Sequence, residues 1–161
     1  QRDTWKEYDA AGMKIKLCDQ AASVDYMINM PVLKGHCQTT VTCALKNNKG
    51  VIPNQEKRHF HTMGLHKPIA HLNTIARNDF ILVDNICGDL DFEEGGNPVR
   101  TNRMMIGTDS VLIDSYGASL MGYTPEEIDY ILEVLPGIVS YLRGMSPVWD
   151  ELETGLRPHL I

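Results

Sequence analysis

The chain has 161 residues and a mass of 18.1 kDa, with 43% hydrophobic and 22% charged residues, a size and composition typical of one globular domain. Its apolar runs are too short to span a bilayer, which takes about 20 residues. Acidic residues outnumber basic ones by 21 to 15, so the net charge is −6, the wrong sign for a surface that follows nucleic-acid phosphates. We therefore expect a single domain over residues 1–161 with neither a nucleic-acid nor a membrane partner.

Two helices and two strands are predicted in the first part of the chain. Spacing favours a helix over residues 3–11, ended by Gly12, and alternation of Lys with apolar residues favours a strand over 13–18. A second strand covers 26–30, where Pro31 interrupts it. We expect a loop at Gly35 and His36 and then a helix over about 39–48.

The middle of the chain contains the most apolar predicted strand. Residues 54–64 are polar and predicted to be irregular, and a helix over 65–76 follows with Pro68 in its first turn. The run 80–84 is apolar on both sides, which is typical of a central parallel strand, and 104–106 resembles another. An acidic, glycine-rich loop over 88–98 separates the two runs.

The last third is predicted to be helical. A helix over 110–121 precedes Thr124, which with Pro125 and Glu127 has the pattern of a helix start with a capping box. Residues 136–161 are interpreted as an appendage packed on the sheet. Because strands and helices alternate, the sequence predicts an α/β fold with a mostly parallel sheet flanked by helices.

Polar side chains follow three of the predicted strands. Lys34 and His36 come after the strand that ends at Met30, and Asp84 ends the central strand. Thr108 and Asp109 follow the strand at 104–106. If all three strands are parallel, their carboxyl ends meet at one edge, where ligands bind in open α/β sheets. Lys34 and His36 are a basic pair suited to an anionic group, although Asp84, Thr108 and Asp109 also fit ordinary turn and capping roles.

Several motifs in order resemble a known family. They are Ile28 to His36, Thr42 to Asn47, Phe60-His61, Gly64-Leu65-His66, Val83-Asp84, Glu94 to Val99, and Gly107-Thr108-Asp109 with Asp114. Together they resemble the family known as domain of unknown function 362, over roughly residues 24–128. The resemblance implies an α/β protein, often joined to ferredoxin-like domains that hold iron–sulfur clusters. We expect this chain to be an incomplete copy of the family domain and a fragment, because a usual first strand is lacking.

The resemblance and the strand ends together define the candidate site. Lys34, His36 and Asp109 are the candidate catalytic residues. The candidate ligand-binding residues are Thr42, Lys46, Asn47, Asp84, Glu94 and Thr108. His61 and His66 are candidate ligands of a metal ion. If the segment His59-Phe60-His61 is extended, the imidazoles of His59 and His61 lie on one face, and His36 or His66 could complete the set of ligands.

Other chemistry remains open in the sequence. The acidic residues Asp89 to Glu94 invite a hard cation but also fit a solvated loop or a hairpin. Cys37 beside His36 suggests a thiolate nucleophile. The four cysteines form no Cys-x-x-Cys pair, so an iron–sulfur cluster is expected in a fused or partner domain and not in this chain. Few cysteines and no signal peptide favour the cytoplasm.

Two hypotheses from different classes follow. In the first, the strand ends hold a small anionic ligand, with or without a metal ion, around Lys34 and His36; whether this is an enzyme stays open. In the alternative, the chain is a non-catalytic partner module of a ferredoxin-like redox protein, with its acidic surface facing a basic partner.

Overall fold

A computed structural model describes residues 4–91 and 96–134. Seven strands and six α-helices make up this part of the chain, with short 3₁₀ turns at Asn48–Val51 and Pro125–Glu127. The strands are β1 (Trp5–Ala10), β2 (Met13–Cys18), β3 (Ile28–Asn29), β4 (Lys34–His36), β5 (Thr40–Thr42), β6 (Phe80–Asp89) and β7 (Pro98–Gly107). The helices are α1 (Asp19–Ser23), α2 (Ala44–Asn47), α3 (Asn54–Thr62), α4 (His66–Leu72), α5 (Ser110–Leu120) and α6 (129–134).

The strands form three small sheets, and most of their pairs are antiparallel. β1 pairs with β2, β4 with β5, and β6 with β7, all antiparallel, while β3 runs parallel to β6 in the three-stranded sheet β3-β6-β7. A single parallel bridge joins Val32 to Asp84. The α/β class is confirmed, but the prediction of a mostly parallel sheet is wrong because β7 runs antiparallel to β6.

The core lies between the inner face of the three-stranded sheet and the helices. Ile81, Val83 and Met105 project from the sheet to meet Val111, Ile113 and Ala118 of α5, and all six are buried. Phe60 and Ile69 bring α3 and α4 into the same cluster. Burial of such side chains contributes about 1.5–3 kcal/mol each, which fixes the helices on this face.

Several predicted elements are confirmed and others are wrong. β2, the start of β6, α4 and α5 lie where the sequence placed them, and Thr124 and Glu127 form the predicted capping box. The helix over 3–11 is instead strand β1, and the irregular stretch 54–64 contains α3. The loop at Gly35 and His36 is β4, and the start of the helix over 39–48 is β5.

Two further points concern the limits of the described chain. The predicted appendage over 136–161 lies outside the described residues, as does Glu94. Among the residues described, no helix is long and apolar enough to cross a membrane.

Candidate functional site

A basic groove lies where four short elements meet. It has a volume of about 440 Å³ and four of its lining residues are lysines, one each from β4, α2, the 3₁₀ turn and α3. We call this the basic groove; its lining residues are Met30, Val32, Lys34, Thr42, Lys46, Asn47, Lys49, Gly50 and Lys57. No described lining residue is acidic. In a chain of net charge −6, this grouping makes a local positive site.

The β4–β5 hairpin and the helix after it position the first half of the groove. Lys34 pairs directly with Thr42 across the hairpin, so their side chains lie on the same face. One helical turn after Thr42, Lys46 donates from Nζ to Thr42 Oγ1 at 2.9 Å, and only 8% of Lys46 is exposed. The sequence therefore brings two cations and a hydroxyl together within the 13 residues from 34 to 46.

An asparagine network anchors α2 against the sheet. Asn47 donates from Nδ2 to Asn29 Oδ1 at 2.7 Å, and Asn29 donates in turn to the Ala44 carbonyl at 2.9 Å and to Asn78 Oδ1 at 2.9 Å. Asn29 is buried on β3. These bonds satisfy polar groups that would be costly to bury alone, and they fix the helix that presents Lys46.

A buried carboxyl holds the other end of α2. Asp114 on α5 is fully buried and accepts from the Ala44 amide at 2.7 Å and the Leu45 amide at 3.2 Å. The Tyr130 hydroxyl lies 3.3 Å from its Oδ2. Burial raises the pKa of Asp114 to about 7, although these hydrogen bonds oppose the change. Asp114 therefore supports the groove from beneath, 70 residues away in sequence.

Burial also raises the pKa values of the Cys43 thiol and the Tyr130 hydroxyl, which lie beside Asp114. Desolvation raises the pKa of the Cys43 thiol well above its ordinary value, and the neighbouring Asp114 adds to this. The pKa of Tyr130 is raised for the same two reasons. Cys43 is therefore a protonated, buried thiol, and a buried free cysteine of this kind packs as a small hydrophobic residue.

His36 has a different role from that of a groove ligand. Its ring is buried, and Nδ1 accepts from the amides of Gln38 at 3.1 Å and Thr39 at 3.2 Å. Nδ1 is therefore unprotonated, and the ring holds the β4–β5 turn. His36 is not among the described residues that line the groove, so of the basic pair Lys34 alone is placed there.

The two candidate metal ligands contact the same turn as His36. His61 Nδ1 lies 3.1 Å from Gln38 Oε1, and His66 Nε2 lies 2.9 Å from the Gln38 carbonyl. Because α3 is helical, His59 and His61 project to different sides and do not form the extended pair that was predicted. Within residues 4–91 and 96–134, no three His, Cys, Asp or Glu side chains come together as metal ligands.

The antiparallel direction of β7 separates two predicted residues from the groove. Gly107 at the end of β7 pairs with Ile81 near the start of β6, whereas Val32, two residues before Lys34, pairs with Asp84. At about 3.3 Å per strand residue, Thr108 and Asp109 lie roughly 20 Å along the strand from Lys34. The expectation that three strand ends share one edge is therefore wrong for β7.

The acidic candidates instead have local structural contacts. Asp109 is the N-cap of α5 and accepts from the amides of Val111 at 2.8 Å and Leu112 at 3.0 Å. Asp84 is exposed and accepts from the Ile86 amide at 3.0 Å beside an irregularity in β6. These are the capping and turn roles that such residues ordinarily have.

Sequence reasoning missed two groove residues, Lys49 and Lys57. Lys57 lies on α3, a segment predicted to be irregular, and Lys49 lies on a 3₁₀ turn interpreted as a helix end. The run Gln-Glu-Lys-Arg after Pro53 consists of good helix formers. A helix predicted over this segment would have assigned Lys57 to one face of that helix.

Comparison with known proteins places this mixed α/β chain in a family. Residues 1–119 match the family model described as Domain of unknown function (DUF362). This is well over half of the 161 residues, and the chain belongs to that family. The match includes the N-terminal hairpin, which the motifs did not reach, and it stops within α5.

Curated relatives share only short stretches with this chain. Cysteine desulfurase IscS of Colwellia psychrerythraea is 46% identical over 33 residues, which is 20% of this chain and 8% of that protein. Cysteine desulfurase IscS of Clostridium botulinum strain Hall is 57% identical over 28 residues, 17% of this chain and 7% of that protein. The chain thus spans less than a tenth of these relatives. No solved structure matches.

Proposed function

We propose that this chain binds a small anionic ligand, carrying carboxylate or phosphate groups, in the basic groove. The observation that carries the proposal is the meeting of Lys34, Lys46, Lys49 and Lys57 from four separate elements around one cavity. Lysine ammonium groups are common partners of phosphate and carboxylate oxygens. The Thr42 hydroxyl adds a polar group beside Lys46.

The groove has the size and the polarity of a ligand site. A volume of about 440 Å³ lies within the range of about 300–1,000 Å³ usual for small-molecule pockets. Met30 and Val32 give it one apolar wall, so a ligand with an apolar part beside its anionic group would also fit. The proposal concerns binding; the catalytic role expected of Asp109 and the ligand-binding role expected of Asp84 gain no support from their contacts.

The test is a titration of the full chain with inorganic phosphate, pyrophosphate and citrate, followed by calorimetry. Lys34→Gln with Lys57→Gln removes two of the four charges from half-buried positions at the groove. We expect the affinity for the best of these anions to fall at least about tenfold, since a hydrogen bond to a charged group is worth about 1.5–3 kcal/mol.

The matched control changes two lysines away from the groove by the same chemistry. Lys6→Gln with Lys67→Gln alters the net charge equally at exposed positions on β1 and α4, and we expect its affinity to stay within about twofold of the unchanged chain. Equal losses of anion affinity in both double variants would show that the net charge of the chain, and not the groove, accounts for the loss. Absence of binding of all three anions by the unchanged chain would refute the proposal.

A further inference from the structure

β7 is a long strand at the edge of its sheet. The strand order β3-β6-β7 gives β7 a single neighbour among the described residues, although the strand is 10 residues long. The free edge of such a strand presents backbone N–H and C=O groups that can pair with another chain. β7 is therefore a backbone docking surface wherever its own sequence does not prevent pairing.

The features that prevent edge pairing lie in the first half of β7. Proteins protect exposed edges with proline, with charged side chains and with local irregularities. Pro98 and Arg100 are in this half, and Asn102 has φ 52° next to a shift in the register with β6. From 103 to 107 the register is regular, and residues 104–106 are all apolar. The second half of β7 is therefore open to pairing.

An exposed apolar stripe lies on the side of α5 next to this edge. It consists of Leu112 and Tyr116, which are 68% and 53% exposed and share one helix face. Each is two residues from Asp114 and thus about 200° around the helix from it. Asp114 faces α2 through the Ala44 amide, and the Ala44 carbonyl binds Asn29 on β3. The stripe therefore lies on the side of α5 away from β3, toward the free edge of β7.

We propose that a second copy of this chain pairs antiparallel with β7 about a two-fold axis at Met105. This axis is the one that pairs residues 103–107 with themselves, so Met104 of each copy lies beside Ile106 of the other. Both side chains project to the side of the sheet away from the core, where they are 54% and 64% exposed. The axis also places both copies of α5 on the same side of the joined sheet, where their stripes meet.

The charges near the edge suit this register. Arg103 lies opposite Gly107 of the copy, so the ladder opposes no like charges. Beyond Gly107 the copy continues to the exposed Asp109, and each Arg103 therefore faces the end of β7 that carries a carboxylate. Within residues 4–91 and 96–134, neither Arg103 nor Asp109 forms an ion pair. Opposite charges are thus available at both ends of the ladder.

An edge partner also leaves Asp84 in water. This exposed carboxylate lies on β6 beside Met104, on the side of the sheet away from the core. A partner that covered that whole side would bury the charge at a large cost, whereas an edge partner extends the sheet sideways. The edge is across the sheet from β3 and the basic groove, so the inference is independent of the proposed function.

The helix stripe supplies apolar area that the ladder lacks. Five residues of antiparallel strand span only about 17 Å, and stable interfaces bury about 800 Å² on each partner. The ladder therefore fixes the register, while Leu112 and Tyr116 add the apolar contact.

The experiment measures the mass of the full chain by sedimentation equilibrium at low salt. We expect a concentration-dependent dimer of twice 18.1 kDa. Met104→Lys with Ile106→Lys sets lysine opposite lysine and should weaken the dimer at least about tenfold. Met104→Lys with Ile106→Glu changes the same positions but sets each lysine opposite a glutamate, so it should dimerise at least about tenfold more tightly than the double-lysine variant. Leu112→Gln with Tyr116→Gln should also weaken the dimer about tenfold.

The control makes the same charge change away from the edge. Ile28 on β3 and Met63 after α3 are exposed, and Ile28→Lys with Met63→Lys should leave the dimer unchanged. Because every substituted position is exposed, the variants should keep the fold, which circular dichroism verifies.

Each contrary result overturns a definite part of the inference. A chain that stays monomeric at every concentration refutes it outright. A dimer that survives Met104→Lys with Ile106→Lys forms through another surface. Equal weakening by the double-lysine and lysine–glutamate variants contradicts the register about Met105. Equal weakening by the control variant would assign the effect to net charge and not to β7.

Discussion

Asp114 supports the groove without lining it. Its carboxyl accepts from the first two amides of α2, the helix that presents Lys46 to the groove. Those amides have no intrahelical partner at the start of a helix, so a cap from another element stabilises them. The capping group lies on α5, so the groove and the core on the inner face of the sheet depend on the same side chain.

The raised pKa of Asp114 predicts a pH dependence of stability. The folded chain holds this proton up to about pH 7, whereas an unfolded Asp releases it near 3.8. Between these values the folded state binds more protons, so the free energy of unfolding falls as pH rises and is constant above the folded pKa. At about 1.4 kcal/mol per pKa unit, the loss is on the order of 4 kcal/mol.

Asp114→Asn isolates this contribution from those of the other ionisable groups of the chain. The amide oxygen of Asn can still accept from Ala44 and Leu45, but it does not titrate. We expect urea midpoints between pH 4.5 and pH 7.5 to fall with pH in the unchanged chain more than in the variant. Parallel curves for the two proteins would contradict the assignment of this dependence to Asp114.

At the scale of elements, β4 depends on a glycine for its place against the segment that follows β6. A Cβ added at Gly35 would lie 2.5 Å from the Leu90 carbonyl oxygen and 2.6 Å from the Asp91 carbonyl carbon. Both are backbone atoms, which cannot move aside as a side chain does. The glycine therefore permits the approach that brings Lys34, its neighbour on β4, to the groove.

Gly35→Ala should destabilise the protein by about 1–3 kcal/mol, the usual cost of overpacking, and should weaken anion binding as well. Gly50→Ala is the matched control for stability alone, because Gly50 itself lines the groove. An added Cβ there meets nothing within 4 Å and should change stability by less than about 1 kcal/mol. Urea unfolding compares the stability of the two variants, and calorimetry compares anion binding by Gly35→Ala with that of the unchanged chain. A Gly35→Ala protein as stable as the control would show that the two segments can separate without cost.

The sequence predicted the elements that depend on neighbouring residues. The predictions failed for elements whose structure depends on pairing with a distant strand. The capping box at Thr124 and the apolar run of β6 depend on neighbours in sequence, and both predictions were confirmed. β1 was missed because its turn uses Ala11 at φ 51° and Gly12 at φ 90°, and Ala is an unusual residue there. The direction of β7 is not encoded in its own residues, so Asp109 was assigned to the wrong edge.

The residues of the basic groove also differ in how far local sequence signals predicted them. Lys34, Thr42, Lys46 and Asn47 come from a short stretch of sequence, and the structure places all four around one groove. Lys57 comes from α3, whose apolar pattern is weak because Glu56 and Phe60 are its only described buried residues. The hydrophobic periodicity of this segment therefore does not predict α3. The high helix propensity of its residues does favour a helix there.

At the scale of the whole molecule, the positive charge of the groove lysines contrasts with the negative net charge of the chain. The net charge of −6 repels an approaching anion at distances up to the Debye length, about 10 Å at 0.1 M salt. The four lysines attract it at contact distance. Added salt screens both effects, so the direction in which affinity changes with salt tells which of them dominates binding.

We expect pyrophosphate affinity to fall as sodium chloride rises from 50 to 500 mM, because contact with several lysines outweighs the distant repulsion. Lys34→Gln with Lys57→Gln should show a shallower dependence, since half of the groove charge is gone. Potassium glutamate in place of chloride tests whether chloride acts by competing for the groove. An affinity that rises with salt would mean that net charge governs the encounter, and the basic groove would then not be the binding site.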